Sequence, residues 1–137
     1  MAANNEIEYR DPAVDWETRA YWEGCARNEL VLQRCGECGA VQHRPRAICA
    51  SCLSSRIEHF AASGSGAVHT YSIIYQNQIP PWSGAVPYVL AYVDLAEGPR
   101  LLTNIVGCEP AEVEIGMAVD VEFVDTGEFA VPRFRPA

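Results

Sequence analysis

The sequence predicts a mainly β protein that begins with one helix, continues into a small ribbon closed by cysteines, and ends in a five-stranded barrel. Two observations support this fold class. Two Cys-x2-Cys pairs stand ten residues apart in the first half of the chain. From residue 66 onward, apolar and polar residues alternate with a period of two, which is the pattern of half-buried strands. The chain has 137 residues, enough for one such domain.

Composition and charge exclude several classes of function. Apolar residues make up 49% and charged residues 20% of the chain, and no apolar run approaches the roughly 20 residues that span a bilayer. The formal charge is −8 and all ten cations are arginines, which argues against a general nucleic-acid binder. The first residues lack the basic and apolar regions of a secretory signal, so we expect a cytoplasmic protein without a membrane contact.

Residues 1–29 form an N-terminal arm and helix in this prediction. Asp11 and Pro12 are typical of a helix start, and the helix is expected to run from about residue 12 to residue 28. Its aromatic residues are Trp16, Tyr21 and Trp22. They either dock onto the chain's own core or present an anchor to a partner protein.

Residues 30–60 form a rubredoxin-like zinc ribbon in the prediction. Each Cys-x2-Cys pair folds into a tight knuckle that directs two thiolates at one point, and two knuckles complete a tetrahedron. The four expected ligands are Cys35, Cys38, Cys49 and Cys52. Four protein ligands leave no open position, so the site is structural, and Zn2+ is the metal we expect, although iron also binds four thiolates. The alternatives are a redox dithiol or a ribbon that has lost its metal.

Residues 61–137 are predicted to form an OB-fold domain. Five β-rich segments of suitable length follow one another, with a short turn or helical step between the third and the fourth. The segments are 67–75, 87–95, 100–106, 118–124 and 129–134. This barrel supplies the apolar core that a small ribbon cannot build for itself.

Six ordered motifs resemble one protein family. They are YWEGCARNELVLQRC, CGECGAVQHRPRAICASC, GSGAVHTYSIIY, VPYVLAYVDLAEGPRLLTNIVGC, EIGMAVDVEF and PRFRPA. With them the chain closely resembles the acyl-CoA-associated zinc-ribbon/OB-fold family, long catalogued as a domain of unknown function. The resemblance covers about residues 15–137 and involves several motifs in order, not the ribbon alone.

The resemblance implies a non-catalytic accessory subunit. Family members are similar to the small partners of thiolase-like enzymes, among them thiolases, acyltransferases and the lipid-transfer-protein-type aldolases that shorten steroid side chains. By this resemblance the chain docks against a thiolase-fold subunit, stabilises it and helps to shape the channel for its acyl-CoA substrate. A heterotetramer built on a thiolase dimer is the expected assembly.

Two groups of residues are candidates for contact with acyl-CoA or with the partner. Ile79 and Trp82 lie in a proline-rich loop between the first two barrel strands, which suits a rigid edge for a partner or an acyl chain. Packing of Trp82 over the barrel mouth is the alternative. Arg100, Arg133 and Arg135 suit the phosphates of coenzyme A, but they equally suit pairing with acidic residues of the partner or of this chain.

The sequence contains no recognisable catalytic constellation. Cys25 and Cys108 are expected to be small buried hydrophobes, His43 a surface residue of the ribbon and His69 a structural strand residue. Two alternative functions stay open. An independent acyl-CoA enzyme or carrier would show turnover by the chain alone. A single-stranded nucleic-acid binder would stack bases on tyrosines of the barrel, namely Tyr71, Tyr75, Tyr88 and Tyr92.

Overall fold

The computed structural model describes residues 8–137 as a three-stranded ribbon sheet beside a closed five-stranded barrel. One helix, α1, spans Arg19–Ala26. The ribbon strands are β1 (Val31–Cys35), β2 (Val41–Gln42) and β3 (Ile57–Ala61). The barrel strands are β4 (Ser65–Ile74), β5 (Tyr88–Leu95), β6 (Arg100–Ile105), β7 (Ala118–Asp125) and β8 (Ala130–Pro136). Among these residues no helix is long and apolar enough to cross a membrane.

The ribbon is an antiparallel sheet with β1 at its centre. β1 pairs with β2 on one edge and with β3 on the other, so that Leu32 stands opposite Phe60. Four of the five β1 residues are buried, because α1 also packs against this strand. Gly24 of α1 lies so close to Val31 that a Cβ atom there would clash with the valine side chain. The close approach of helix and strand therefore depends on glycine at this position.

The barrel closes in the order β4-β5-β6-β8-β7, which confirms the predicted OB-type architecture. All neighbours are antiparallel except β6 and β8, which pair in parallel where Ile105 meets Phe134. The long strand β4 closes the barrel, because its start pairs with β7 and most of its length pairs with β5. His69 is the extra residue of a bulge in β4 that bends the strand between these two neighbours.

Strand alternation fills the barrel core. In β5 the side chains of Val89, Ala91 and Val93 are buried, while the residues between them face outward. Leu101 of β6 and Phe134 of β8 complete the centre, and both are almost completely buried. A period of two in the sequence thus corresponds to the inner and outer faces of the barrel.

The ribbon and the barrel share one core. Tyr21 and Cys25 of α1 belong to the same buried cluster as the barrel residues, and so do Leu30 and Leu32 at the entrance of the ribbon. The first of the two interpretations of the helix is therefore confirmed for Tyr21, which packs onto the chain's own core. The ribbon is consequently held against the barrel by apolar burial as well as by its own hydrogen bonds.

The helix is shorter than the sequence predicted, because Asp11 makes a tertiary contact instead of capping it. The helix begins at Arg19 and not near residue 12. The Asp11 carboxylate accepts hydrogen bonds from the Thr126 hydroxyl and from two backbone N–H groups of the turn between β7 and β8. These bonds lower the pKa of Asp11 and tie the N-terminal arm to the far end of the barrel.

Asp15 and Thr18 organise the turn that leads into α1. The Thr18 N–H donates to the Asp15 carboxylate at 2.9 Å, and the Asp15 N–H donates to the Thr18 hydroxyl at 3.1 Å. Trp16 lies inside this turn and is 76% exposed, whereas Tyr21 of α1 is buried in the core.

Adjacent leucines on β6 provide a matched test of the core. Leu101 is 2% exposed and Leu102 is 52% exposed. We expect Leu101→Ala to lower the free energy of unfolding by about 2–5 kcal/mol, because it leaves a cavity. Leu102→Ala, its control, is expected to change it by less than about 1 kcal/mol. Denaturant unfolding of both variants measures the difference, and equal losses would contradict the assignment of the two faces.

Candidate functional site

The four cysteines of the ribbon converge on one point. Their sulfur atoms all lie within 4.8 Å of one another, although the two pairs come from separate turns. The Sγ atoms of Cys35 and Cys52 are 3.6 Å apart, as are those of Cys38 and Cys49. A tetrahedron with zinc–sulfur bonds of about 2.3 Å has edges of about 3.8 Å, so the sulfur positions fit a Zn2+ ion. The chain therefore holds a structural zinc site, in agreement with the sequence prediction.

Backbone N–H groups prepare one sulfur of each knuckle to bind a cation. The N–H groups of Cys38 and Glu37 donate to Cys35 Sγ at 3.4 Å and lower the pKa of that thiol to about 6. The second knuckle has the same arrangement, and its N–H groups lower the pKa of Cys49. Both thiols therefore favour the thiolate form that ligates metal.

The two knuckles are closed in the same way by a residue in the left-handed region. Gly39 has φ +77° and its N–H donates to the Cys35 carbonyl at 3.0 Å. Leu53 occupies the equivalent position of the second knuckle, with φ +66° and a bond to the Cys49 carbonyl at 2.9 Å. The glycine was visible in the sequence, whereas nothing in the sequence marks Leu53 for this conformation.

Gln33 connects the metal site to the loop between the knuckles, and sequence reasoning missed it. Its buried amide donates to the Arg46 carbonyl at 3.0 Å and accepts from the Arg46 N–H at 2.9 Å. Gln42 donates to the same Gln33 oxygen at 2.8 Å and accepts from the Ala50 N–H. Two glutamines thus fix the segment 43–48. Their shared role becomes visible only in the structure, where residues 33 and 42 are cross-strand partners.

His43 is half-buried at the junction of ribbon and barrel, so the prediction of a surface residue was wrong. Its ring packs against Tyr21 of α1, with ring centroids 5.2 Å apart. Burial, reinforced by the charge of Arg44, lowers the pKa of His43 to about 4. The buried Nδ1 atom has no hydrogen-bond partner among the described residues. His43 is not on the surface because the ribbon loop that carries it packs against α1 in the folded chain.

A cleft of about 590 Å³ opens beside His43, and we call it the junction cleft. It lies between the segment before α1, the ribbon loop at residues 43–45, and barrel strands β5, β6 and β8. It brings together Arg100 and Arg133, two of the predicted contact residues, with Arg44 of the ribbon loop. These arginines are far apart in sequence, and the docking of ribbon against barrel is what joins them.

The predicted arginines have different partners. Arg100 Nε donates to the Asp94 carboxylate at 2.7 Å, and His69 approaches the same carboxylate at 3.0 Å. Arg133 lies with its guanidinium 4.0 Å from the centre of the Tyr9 ring. Arg135 is outside the cleft.

The Arg135 guanidinium pairs with a carboxylate on the neighbouring strand. Its Nη1 atom is 3.3 Å from Glu122 Oε2, and both side chains are substantially exposed. Such an exposed pair contributes little to stability.

The proline-rich loop places its two predicted residues differently. Ile79 is 70% exposed. Trp82 is half-buried between two aromatic rings, with its centroid 5.7 Å from that of Tyr9 and 5.1 Å from that of Tyr88. The tryptophan therefore holds the loop and the N-terminal arm against the barrel, while the isoleucine projects beyond it.

At the rim of the junction cleft, the outer surface of β5 and β6 carries three exposed large apolar side chains: Leu90, Tyr92 and Leu102. Tyr92 and Leu102 also line the cleft. Tyr92 and Leu102 are direct cross-strand partners, so they form a continuous surface, which we call the outer face. Sequence reasoning named Tyr92 only as a possible base-stacking residue and did not single out Leu90 or Leu102. The signal was present in β5, where apolar residues occupy both alternating positions.

The cysteines outside the ribbon are not activated. Cys25 is completely buried, and desolvation raises its pKa to about 12, as expected of a small hydrophobe. Burial also raises the pKa of Cys108. Within residues 8–137 neither thiol has a hydrogen bond to a histidine, so the structure offers no thiolate–imidazole pair there.

Comparison with known proteins identifies the family. A family model described as the ChsH2 rubredoxin-like zinc ribbon domain matches residues 22–58, and one described as the ChsH2 C-terminal OB-fold domain matches residues 60–124. A DUF35 domain-containing scaffold protein of Pyrococcus furiosus is 35% identical over 123 residues, covering 85% of this chain and 90% of the relative. The chain belongs to the ChsH2/DUF35 family. The resemblance predicted from the sequence motifs is thereby confirmed.

The chain is also similar to proteins that belong to a larger assembly or are longer chains. The chain is similar to one in a solved structure titled Ltp2-ChsH2(DUF35) aldolase, with a TM-score of 0.83 and 35% identity over 92% of this chain and 98% of that one. It is also 36% identical over 127 residues to the probable enoyl-CoA hydratase alpha subunit of Thermomonospora curvata. The match covers 92% of this chain but only 39% of that subunit.

Loss of one zinc ligand should loosen the ribbon selectively. We expect Cys35→Ser to abolish stoichiometric zinc binding and to increase hydrogen exchange across residues 36–56, because only Cys49 is buried in this segment and the metal holds the segment in place. The barrel strands are expected to keep their protection. Cys108→Ser is the control and should change neither. Mass-resolved hydrogen exchange with metal analysis measures both effects, and equal deprotection of ribbon and barrel would contradict this assignment.

His43 should make stability depend on pH. Its pKa is about 4 in the folded chain and about 6.5 in an unfolded one, so the unfolded state binds more protons between these values. The free energy of unfolding is therefore expected to fall as pH decreases from 7 toward 4, and His43 accounts for up to about 3 kcal/mol of this loss. His43→Phe should flatten the profile between pH 5 and 7 in phosphate-free buffer.

The comparison at pH 8 is the control for the His43 experiment. At that pH the histidine is neutral in both states, so any difference between the proteins reports packing alone. Parallel pH profiles of the two proteins would contradict the buried, neutral assignment.

Proposed function

We propose that this chain is a non-catalytic accessory subunit of a thiolase-like acyl-CoA enzyme, with an aldolase as the best-supported partner. The observation that carries the proposal is the likeness to a chain of the Ltp2-ChsH2(DUF35) aldolase over nearly the full length of both chains. The described residues add support, because their two non-ribbon thiols are buried or unactivated. The partner then supplies the catalytic groups.

The relatives support a role in assembly and substrate handling more than in one particular reaction. The region that matches the hydratase alpha subunit is nearly the whole of this chain, and the same region matches a chain of an aldolase. Hydration and carbon–carbon cleavage need different catalytic groups, so a module shared by both does not carry the chemistry of either. Acyl-CoA is the substrate class that the name of the hydratase subunit suggests for the complex.

The outer face is the surface that we propose the partner covers. Leu90, Tyr92 and Leu102 expose apolar area side by side on a protein whose other apolar barrel residues are mostly buried. Exposed apolar patches of this kind mark interaction surfaces, and tyrosine is enriched among residues that dominate binding energy. Ile79 extends beyond the barrel from the loop that Trp82 holds, and we include both in the proposed contact region.

The zinc site supports docking indirectly in this proposal. It fixes the ribbon loop through Gln33 and so sets one wall of the junction cleft. The accessory chain would stabilise the large subunit and contribute a wall to its acyl-CoA channel. One small chain on each half of a dimeric partner gives the heterotetramer that we expect.

The nucleic-acid alternative finds little support in the structure. Tyr88 is buried. Tyr71 is paired across β4 and β5 with Ala91, so it lies on the same face of the sheet as that residue. Tyr92 follows Ala91 in β5 and therefore lies on the opposite face from Tyr71. The tyrosines therefore do not form one stacking platform. A charge of −8 also opposes binding to phosphates over an extended surface.

Co-purification with a thiolase-fold protein tests the proposal. A tagged chain expressed in its native host is expected to retain such a protein in stoichiometric amount, and the isolated chain is expected to show no acyl-CoA turnover. The double variant Tyr92→Glu/Leu102→Glu should lose the partner, because two charges would be buried in an apolar contact.

Ile115→Glu is the matched control, since Ile115 is also exposed but lies outside the outer face. It should retain the partner. Turnover by the isolated chain, or the absence of any thiolase-fold protein from the purified complex, would contradict the proposal. Circular dichroism of each variant shows that the fold is intact.

A further inference from the structure

The junction cleft is a positively charged site in an acidic protein. Three arginines line it, whereas Asp15 is the single carboxylate among its described lining residues. Arg44 comes from the ribbon, Arg100 from β6 and Arg133 from β8. The cleft is therefore the place where a chain with a charge of −8 concentrates cations, and such a concentration attracts an anion.

Several polar groups of the cleft lack partners within the described chain. The Nε atom of Arg133 and the Nδ1 atom of His43 are both buried without a hydrogen-bond partner. Arg44 makes no ion pair with any carboxylate of residues 8–137. The Asp15 carboxylate is already used, since it accepts the Thr18 N–H at 2.9 Å. A buried donor without a partner, as Arg133 Nε is, costs free energy, so a ligand with oxygen acceptors would relieve this cost.

Two of the three arginines are already held in place. The Arg133 guanidinium stacks on Tyr9 and donates to the Pro132 carbonyl at 2.7 Å. Arg100 is fixed through its Nε atom by Asp94, which leaves its other guanidinium nitrogens available. A guanidinium held in one orientation loses little entropy when it binds an oxyanion, and its planar fork matches phosphate geometry.

Most of the other lining residues are apolar or aromatic. Trp22, Leu102 and Val131 contribute side chains to the cleft. A volume of about 590 Å³ lies within the usual range of small-molecule sites. An inorganic anion alone would leave most of this apolar lining without contact, so the cleft favours a ligand that joins phosphate groups to an apolar arm.

We propose that the junction cleft binds the phosphate groups of a phosphorylated ligand that carries an apolar arm, with Arg44, Arg100 and Arg133 as the contacts. The choice of a coenzyme A thioester among such ligands rests on the proposed function, whereas the anion site rests on the geometry alone. All three arginines belong to this chain. The site is therefore complete before any partner binds.

Calorimetric titration of the isolated, zinc-loaded chain tests the site. The probes are coenzyme A, adenosine 3′,5′-bisphosphate, inorganic pyrophosphate and uncharged pantetheine, in phosphate-free buffer. Coenzyme A is expected to bind saturably and to weaken as salt is raised, because the contact is electrostatic. Arg44→Gln/Arg100→Gln should weaken binding at least roughly tenfold, since hydrogen bonds to charged groups are lost.

Arg27→Gln is the matched control, because Arg27 is an exposed arginine outside the cleft. It should leave the affinity for coenzyme A unchanged. Competition by the bisphosphate identifies the nucleotide phosphates as the bound groups, and equal competition by pyrophosphate identifies the diphosphate; either result supports the site. Pantetheine binding as tightly as coenzyme A would overturn it, because the arginines would then play no part.

Failure of this site is distinguishable from failure of the proposed function. Ligand binding is measured without the partner, and partner binding is measured without ligand. No binding of coenzyme A at millimolar concentration by the isolated chain would overturn the site whatever the partner does. Loss of the partner in Arg44→Gln/Arg100→Gln, together with unchanged coenzyme A affinity, would also overturn it and assign these arginines to the protein interface.

Discussion

Four sulfur atoms within 4.8 Å of one another are the constraint on which the ribbon depends. Isolated thiolates at this distance repel one another, and a divalent cation converts that repulsion into attraction. With the knuckles fixed, β1 is held between β2 and β3, and Gln33 can bond the loop that connects the knuckles. The position of Arg44 and His43 at the junction follows from this chain of contacts.

The same ribbon is anchored a second time by apolar burial. Leu30 and Leu32 enter the core that the barrel strands form, and Tyr21 joins them from the helix. A small module that cannot bury enough surface alone is thus stabilised by metal on one side and by a neighbouring barrel on the other. This double attachment holds the ribbon loop against the helix and the barrel, where the junction cleft lies.

Charged and apolar residues are unevenly distributed over the surface of the molecule. The chain carries 18 acidic residues against ten arginines, and several arginines are paired with acids on the surface. The lining of the junction cleft holds three arginines and one carboxylate, and of these arginines Arg100 is paired with Asp94 outside the lining. The adjacent outer face is apolar around Tyr92 and Leu102. The proposed anion site and the proposed partner surface therefore meet at Tyr92 and Leu102 on β5 and β6, an arrangement that would suit the proposed accessory subunit.

The sequence by itself determined the metal knuckles and the barrel strands. Both are local properties, because Cys-x2-Cys fixes a turn of four residues and alternation of period two fixes the faces of a strand. The family followed from the order of these motifs. The start of α1, the burial of His43 and the junction cleft were decided only by the tertiary structure. Asp11 bonds a hydroxyl 115 residues away instead of capping a helix, and Arg133 stacks on Tyr9 from the opposite end of the chain. Such contacts depend on how the ribbon docks on the barrel, and no local pattern encodes that docking.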